Sequence, residues 1–253
     1  MFGKILEISK ISKVSKVPKV PKVPEVSKVA KVSKILQISI AAVLAMMAVT
    51  QGASARHRHR DIDNTPGQFD YYLLSLSWSP AFCLQQPDSA ECNGPRRFGF
   101  IVHGLWPQNE RGWPQNCGDS QVPNSVAQGI SDLMPARKLV YHEWAAHGTC
   151  SGLDPVAFFA LVRRAHDSVV IPSPFKSPSA AIEQAPAAIV NAFLQANPRL
   201  PPDSVVATCT RQGAPRLREV HVCFDRDLNA RACSADALRE ACRAASVIVP
   251  PIR

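Results

Sequence analysis

Asp70-Tyr-Tyr-Leu-Leu-Ser-Leu-Ser-Trp78 alternates in steps of two. Tyr72, Leu74, Leu76 and Trp78 share one side, and Ser75 and Ser77 fall on the other. That period belongs to a strand with one face on a core. Working outward, residues 98–103 form a second, apolar strand candidate, and residues 205–210 and 217–224 read as two more. Residues 125–133 and 138–147 read as helical. Asp154-Pro155 supplies an N-cap and a proline at the first helical position. Beyond it Phe158, Phe159, Leu161, Val162 and His166 recur at helical spacing. Residues 180–196 are a further helix candidate, interrupted by Pro186. The strands are too few and scattered for a βαβ repeat, and the helices cluster between early and late strands. The pattern predicts one α+β domain, a central, mainly antiparallel sheet with helices packed on it. A chain of 253 residues can bury a substantial core, and 46% hydrophobic with 19% charged residues excludes wholesale disorder.

The net charge of +9 does not describe the folded part. Nine of the 29 basic residues and two of the 20 acids lie in residues 1–55, which leaves 20 bases against 18 acids in the rest. Bulk basicity therefore carries no argument for nucleic acid. Residues 10–34 repeat Lys-Val at a three-residue step around Pro18, Pro21 and Pro24, a period that builds neither an amphipathic helix nor a packed strand. Residues 35–49 are apolar but short of the ~20 needed to span a bilayer. They lead to Ala53-Ser54-Ala55, a small-x-small end. We read residues 1–55 as a basic low-complexity tract plus signal peptide, residues 56–68 as a flexible mature N-terminus, and residues 69–253 as the folded domain. His57 and His59 alternate with arginine and are assigned to that N-terminus, not to a metal site. The expected location is periplasmic or secreted, with no stable membrane association after cleavage.

All eight cysteines lie beyond residue 82, and no C-x-x-C occurs. An even count in an exported chain reads as four disulfides, although eight cysteines allow 105 pairings.

Two segments concentrate chemistry. In Phe100-Ile-Val-His-Gly-Leu-Trp-Pro-Gln108, His103 comes off the end of an apolar strand, and Gly104 allows an unusual turn or a close approach. In Tyr141-His-Glu-Trp-Ala-Ala-His-Gly-Thr-Cys150, His142 and His147 are five apart, about 140° around a helix. A zinc-peptidase helix needs four. Glu143 and His147 are four apart, so a carboxylate beside an imidazole is expected there. Two imidazoles can remove one proton and deliver another near neutral pH, and a third can hold phosphate. That set suits attack of a ribose 2′-hydroxyl on the adjacent phosphorus, where RNA supplies its own nucleophile.

Together, His103-Gly104-Leu105-Trp106-Pro107 and His142-Glu143-Trp144-Ala145-Ala146-His147-Gly148-Thr149-Cys150 closely resemble the two active-site segments of the ribonuclease T(2) family, over roughly residues 69–242. The resemblance implies an α+β fold and an acid-type endoribonuclease acting on single-stranded RNA with low base specificity. It implies 2′,3′-cyclic phosphate products, no metal, no cofactor and a monomer. His103 matches the general acid and His147 the general base. Glu143 matches the carboxylate that stabilises charge, His142 the phosphate-holding histidine and Trp106 the base-stacking aromatic. It also implies the pairings Cys83–Cys92, Cys117–Cys150, Cys209–Cys242 and Cys223–Cys233. One position departs: Ala146 stands where the family usually has lysine, with Arg137 or Lys138 as spatial substitutes. That departure motivates the alternative, a catalytically weakened RNA-binding or interaction protein on the same fold. A zinc hydrolase is the other rival, and the histidine spacing disfavours it.

Overall fold

The computed structural model describes residues 63–252, so the tract and signal expected over 1–55 lie outside the described residues. In chain order it contains β1 (Tyr71–Trp78), α1 (Ser79–Gln85), α2 (Ala90–Asn93), β2 (Phe100–Gln108), α3 (Asn124–Gly129) and α4 (Arg137–Ala146). There follow α5 (Pro155–Asp167), β3 (Ile182–Gln184), α6 (Pro186–Ala196), β4 (Val205–Cys209), β5 (Leu217–Phe224), α7 (Ala235–Arg239) and β6 (Val247–Val249). The main sheet is antiparallel in the order β2-β1-β5-β4, and β3 pairs with β6 separately. This is the α+β arrangement expected from the sequence.

β1 lies inside the sheet and packs on both faces, which corrects the expectation of a strand with only one face on a core. Leu74, Leu76 and Trp78 are fully buried in the main core with Phe158, Ile189 and Phe193 from the helices. On the opposite face Tyr71 and Leu73 join Val206, Cys223, Cys233 and Ala237 in a smaller cluster. Ser75, between them, is fully buried too.

The helix expected over 180–196 begins only at Pro186. A proline suits the first helical position, where no N–H is needed, and the preceding residues extend into β3 instead. The cap expected at Asp154 is present: Ala157 N–H donates to its carboxylate at 2.9 Å. The short elements α1, α2, α7 and β6 carried no periodic signal because they span less than a window in which periodicity is readable. At the end of the segment read as flexible, residues 64–67 are fastened to the body. Gln115 N–H donates to Asn64 Oδ1 at 3.0 Å, and Gly67 N–H donates to Cys150 O at 2.9 Å. The four disulfides pair as the family resemblance implies. Among the described residues no helix is long and apolar enough to cross a membrane.

Candidate active site

β2 does not end at His103 as the sequence reading had it; it runs on to Gln108. Pro107 is tolerated because β2 is an edge strand. Opposite β1, Ser75 pairs with Gly104 and Leu76 with Val102, so His103 is the extra residue of a bulge. A bulge shifts the two-residue phase and re-aims a side chain. Before it Val102 packs into the main core; after it Leu105 does so, while Gly104 and Trp106 pair across from Ser75 and Leu73 on the other face. His103 is thereby placed next to Glu219 of β5, which lies across from Ser77.

α4 brings the second segment to the same place. It anchors through Val140 and Trp144 in the main core and holds Glu143 buried. The helix ends at Ala146, one residue earlier than the sequence reading. His147 leaves it at φ −128° while its N–H still donates to Glu143 O at 3.0 Å. Gly148 follows against Trp144 and Phe158, where a Cβ has no room.

The side chains are not paired as the helical spacing led us to expect. Glu143 reaches across to β2: Trp106 Nε1–H donates to its Oε2 at 2.6 Å, and His103 Nε2 lies 3.3 Å from its Oε1. His147 sits beside the Trp106 ring, centroids 5.4 Å apart, and its Nδ1 is buried with no hydrogen-bond partner among the described residues. The other nitrogen of His103, Nδ1, donates to Glu219 Oε1 at 2.7 Å. Glu219 Oε2 accepts from His221 Nε2 and from the Arg218 guanidinium, each at 3.0 Å. Trp106, read as a base-stacking aromatic, has its N–H committed to Glu143 and its ring set among His103, His147 and His221.

These surroundings separate the two imidazoles electrostatically. Burial resists a charge on His103, but hydrogen bonds to Glu143 and Glu219 outweigh it and push its pKa up to about 10. Burial pushes His147 down; His103 and His142 add to the fall, and Glu143 only partly offsets it. Burial opposes ionisation of Glu219, yet His103 and His221 hold it well below the usual carboxylate range.

His142 is exposed and lines a cavity of about 480 Å³ together with His103, Lys138, Arg218, Glu219 and Phe82. Arg137, one of the two cations considered as a stand-in at position 146, is engaged elsewhere: its guanidinium donates to Asn124 Oδ1 and the Tyr141 hydroxyl. Glu219 and His221 escaped the sequence reading. Their signal was an acid and an imidazole two apart on one side of a predicted strand, a pattern that ordinarily marks a solvent face.

A model of the Ribonuclease T2 family matches residues 69–233. A ribonuclease of Aeromonas hydrophila is 34% identical over 174 residues, covering 64% of this chain and 74% of that protein. Ribonuclease I of Escherichia coli is 29% identical over 41% of this chain and 55% of its own length. Across several of these curated relatives the match spans only about half their length. Among solved structures, an RNase-related protein from Calystegia sepium superposes with a TM-score of 0.58 at 23% identity, covering 73% of this chain and 98% of that one. Ribonuclease MC1 from bitter gourd seeds gives 0.57 at 22%, covering 71% and 99%. These two establish the fold. With the family model matched across most of the domain, the chain belongs to the Ribonuclease T2 family and is a ribonuclease of T2 type.

Proposed function

We propose that the protein cleaves single-stranded RNA internally by acid–base transphosphorylation, leaving 2′,3′-cyclic phosphate ends, with His147 as general base and His103 as general acid. The observation that carries this reading is the placement of the two imidazoles: His103 lies against the Glu143 and Glu219 carboxylates, which favour its charged form, while His147 packs beside the Trp106 ring, where burial pushes its pKa down. A neutral imidazole takes the 2′-hydroxyl proton; a protonated one supplies the 5′-oxygen as it leaves. Glu143 stabilises the charge on His103, and Trp106, in contact with both imidazole rings, orients Glu143. His142, at the cavity rim with Lys138, holds phosphate oxygens. No step requires a metal or cofactor. Digestion of single-stranded RNA in excess chelator, with product termini identified, tests the reading: cyclic phosphate ends are expected, and chelator-sensitive cleavage or 5′-phosphate ends would overturn it. No cleavage at all would favour the weakened binding protein that Ala146 motivates.

The pH profile follows from the same placement. His103 stays protonated until pH rises through about 10. His147 stays neutral until pH falls through a value below the ordinary ~6.5. We expect kcat/KM on a dinucleoside phosphate to hold a plateau with its acid limb below ~6.5 and its basic limb far above that value. An acid limb above neutrality would reverse the assignment of base and acid.

Ala146→Lys installs the cation usual in the family. Because Lys138 already lines the cavity with His103, we expect kcat to rise by less than about tenfold, short of the 10²–10³ that a preorganised donor is worth. Single-turnover rates check it; the full 10²-fold gain would mean that Lys138 does not serve the phosphate.

We further infer export, from the signal-like run ending at Ala55 and the four disulfides, which persist in oxidising compartments. N-terminal sequencing of the exported protein tests cleavage there.

A further inference from the structure

Two carboxylates hold His103, and only Glu143 has so far been given a role of its own. We propose that Glu219 of β5 is the positioning residue of His103: it fixes the tautomer and rotation of the imidazole and keeps it charged for proton donation. The inference deepens the functional reading above and rests on its assignment of His103 as the acid.

The geometry carries it. The 2.7 Å bond from His103 Nδ1 to Glu219 Oε1 is shorter than the 3.3 Å approach of Nε2 to Glu143, so the ring is fastened at Nδ1. Nε2, the more loosely held of the two, is then the nitrogen whose proton is free to pass to a substrate oxygen. Glu219 itself cannot rotate, because its second oxygen is taken by His221 Nε2–H and Arg218, and its side chain is only 5% exposed. An imidazole oriented through Nδ1 by a buried carboxylate presents Nε2 in one direction and stabilises the imidazolium, which is how such a pair serves proton transfer in general. His221, buried on the same face, shares with Arg218 the task of satisfying Oε2. The groups facing His103 are Glu143, His142 and Lys138 of α4, His147 at the end of α4, Glu219, Arg218 and His221 of β5, and Glu91 of α2. Of these, Glu143 and Glu219 are the anions within contact distance.

Glu219→Gln keeps the shape and removes the charge. We expect kcat to fall on the order of 10²-fold, within the 10²–10⁴ that a proton-transferring group contributes, with KM changed far less. Removing an anion destabilises the imidazolium, so the pKa of His103 falls and the basic limb of the pH–rate profile moves to lower pH. A purely structural ion pair would lower stability without moving that limb. An unchanged kcat or an unmoved limb in folded Glu219→Gln overturns the proposal. If the variant does not fold, ¹⁵N spectra of the unsubstituted protein decide: His103 Nδ1 should keep its proton well above the ordinary imidazole value of ~6.5, and its loss near that value overturns the proposal. Those spectra do not depend on activity. A failure of the functional reading, seen as an unsubstituted protein that does not cleave RNA or a His103→Ala variant at full rate, is therefore separable from a failure at Glu219.

Discussion

His103→Ala and His147→Ala should each lower kcat by about 10²–10⁴-fold while leaving the fold intact, because each removes one of two coupled proton transfers. Neither substitution opens the main core, since both rings lie on the site side of the molecule and are only half-buried. The double variant should be little slower than the worse single one. Groups that act as a unit lose their joint contribution when either is removed. The two losses should differ in their dependence on the substrate: a substrate with a good leaving group needs less help from the acid, so it should rescue His103→Ala and not His147→Ala. Steady-state rates on RNA and on an activated phosphodiester check both points. Near-full activity in either single variant would remove that histidine from the mechanism. Rescue of His147→Ala in place of His103→Ala would exchange their roles.

Gly104→Ala should be nearly as damaging, although the added group is one methyl. A Cβ on Gly104 would run into the Glu143 carboxylate and the Trp106 indole nitrogen, the two ends of the hydrogen bond that holds the site together. Neither neighbour is a loose side-chain tip, because Glu143 is buried and Trp106 is wedged among three imidazoles. Forcing a methyl into a packed site costs about 1–3 kcal/mol, and misplacing a catalytic group by about 1 Å can cost 10²-fold in rate. We expect a urea midpoint lowered by that amount of stability and kcat reduced on the order of 10²-fold. Wild-type stability and rate in this variant would show that Glu143 and Trp106 can part without consequence, and would undo the role given to their contact.

The legibility of this protein from its sequence is uneven in a way that has physical causes. β1 and α5 are readable because each is long enough for its apolar residues to repeat with its own period, and α5 also carries a capping aspartate and a proline at its start. Glu143 and His147 are readable as chemistry because three polar groups in six residues, His142, Glu143 and His147, do not make an ordinary core helix, whereas His103 alone reads as a core histidine and gains its meaning only beside that second segment. The disulfide partners were legible only through the family resemblance, since spacing alone leaves 105 choices.

Other features were decided by contacts far apart in the chain. The spacing of Glu143 and His147 pointed to a pair on one helix face, but the helix ends between them and the carboxylate turns to β2. His103 looked like the end of a strand, but it is a bulge within one, and a bulge exists only in register with the neighbouring strand. Glu219 lies 116 residues from His103, and nothing local distinguishes it from a solvated glutamate. The sequence by itself thus determined the class of fold, the elements with a clear period, and the two imidazoles to which we assign the chemistry. Only the tertiary structure decided which carboxylate meets which imidazole, and therefore which imidazole has its charged form favoured. Propensity and periodicity act over a few neighbouring residues, whereas a proton affinity is set by burial and by charges that strand register brings within hydrogen-bond distance.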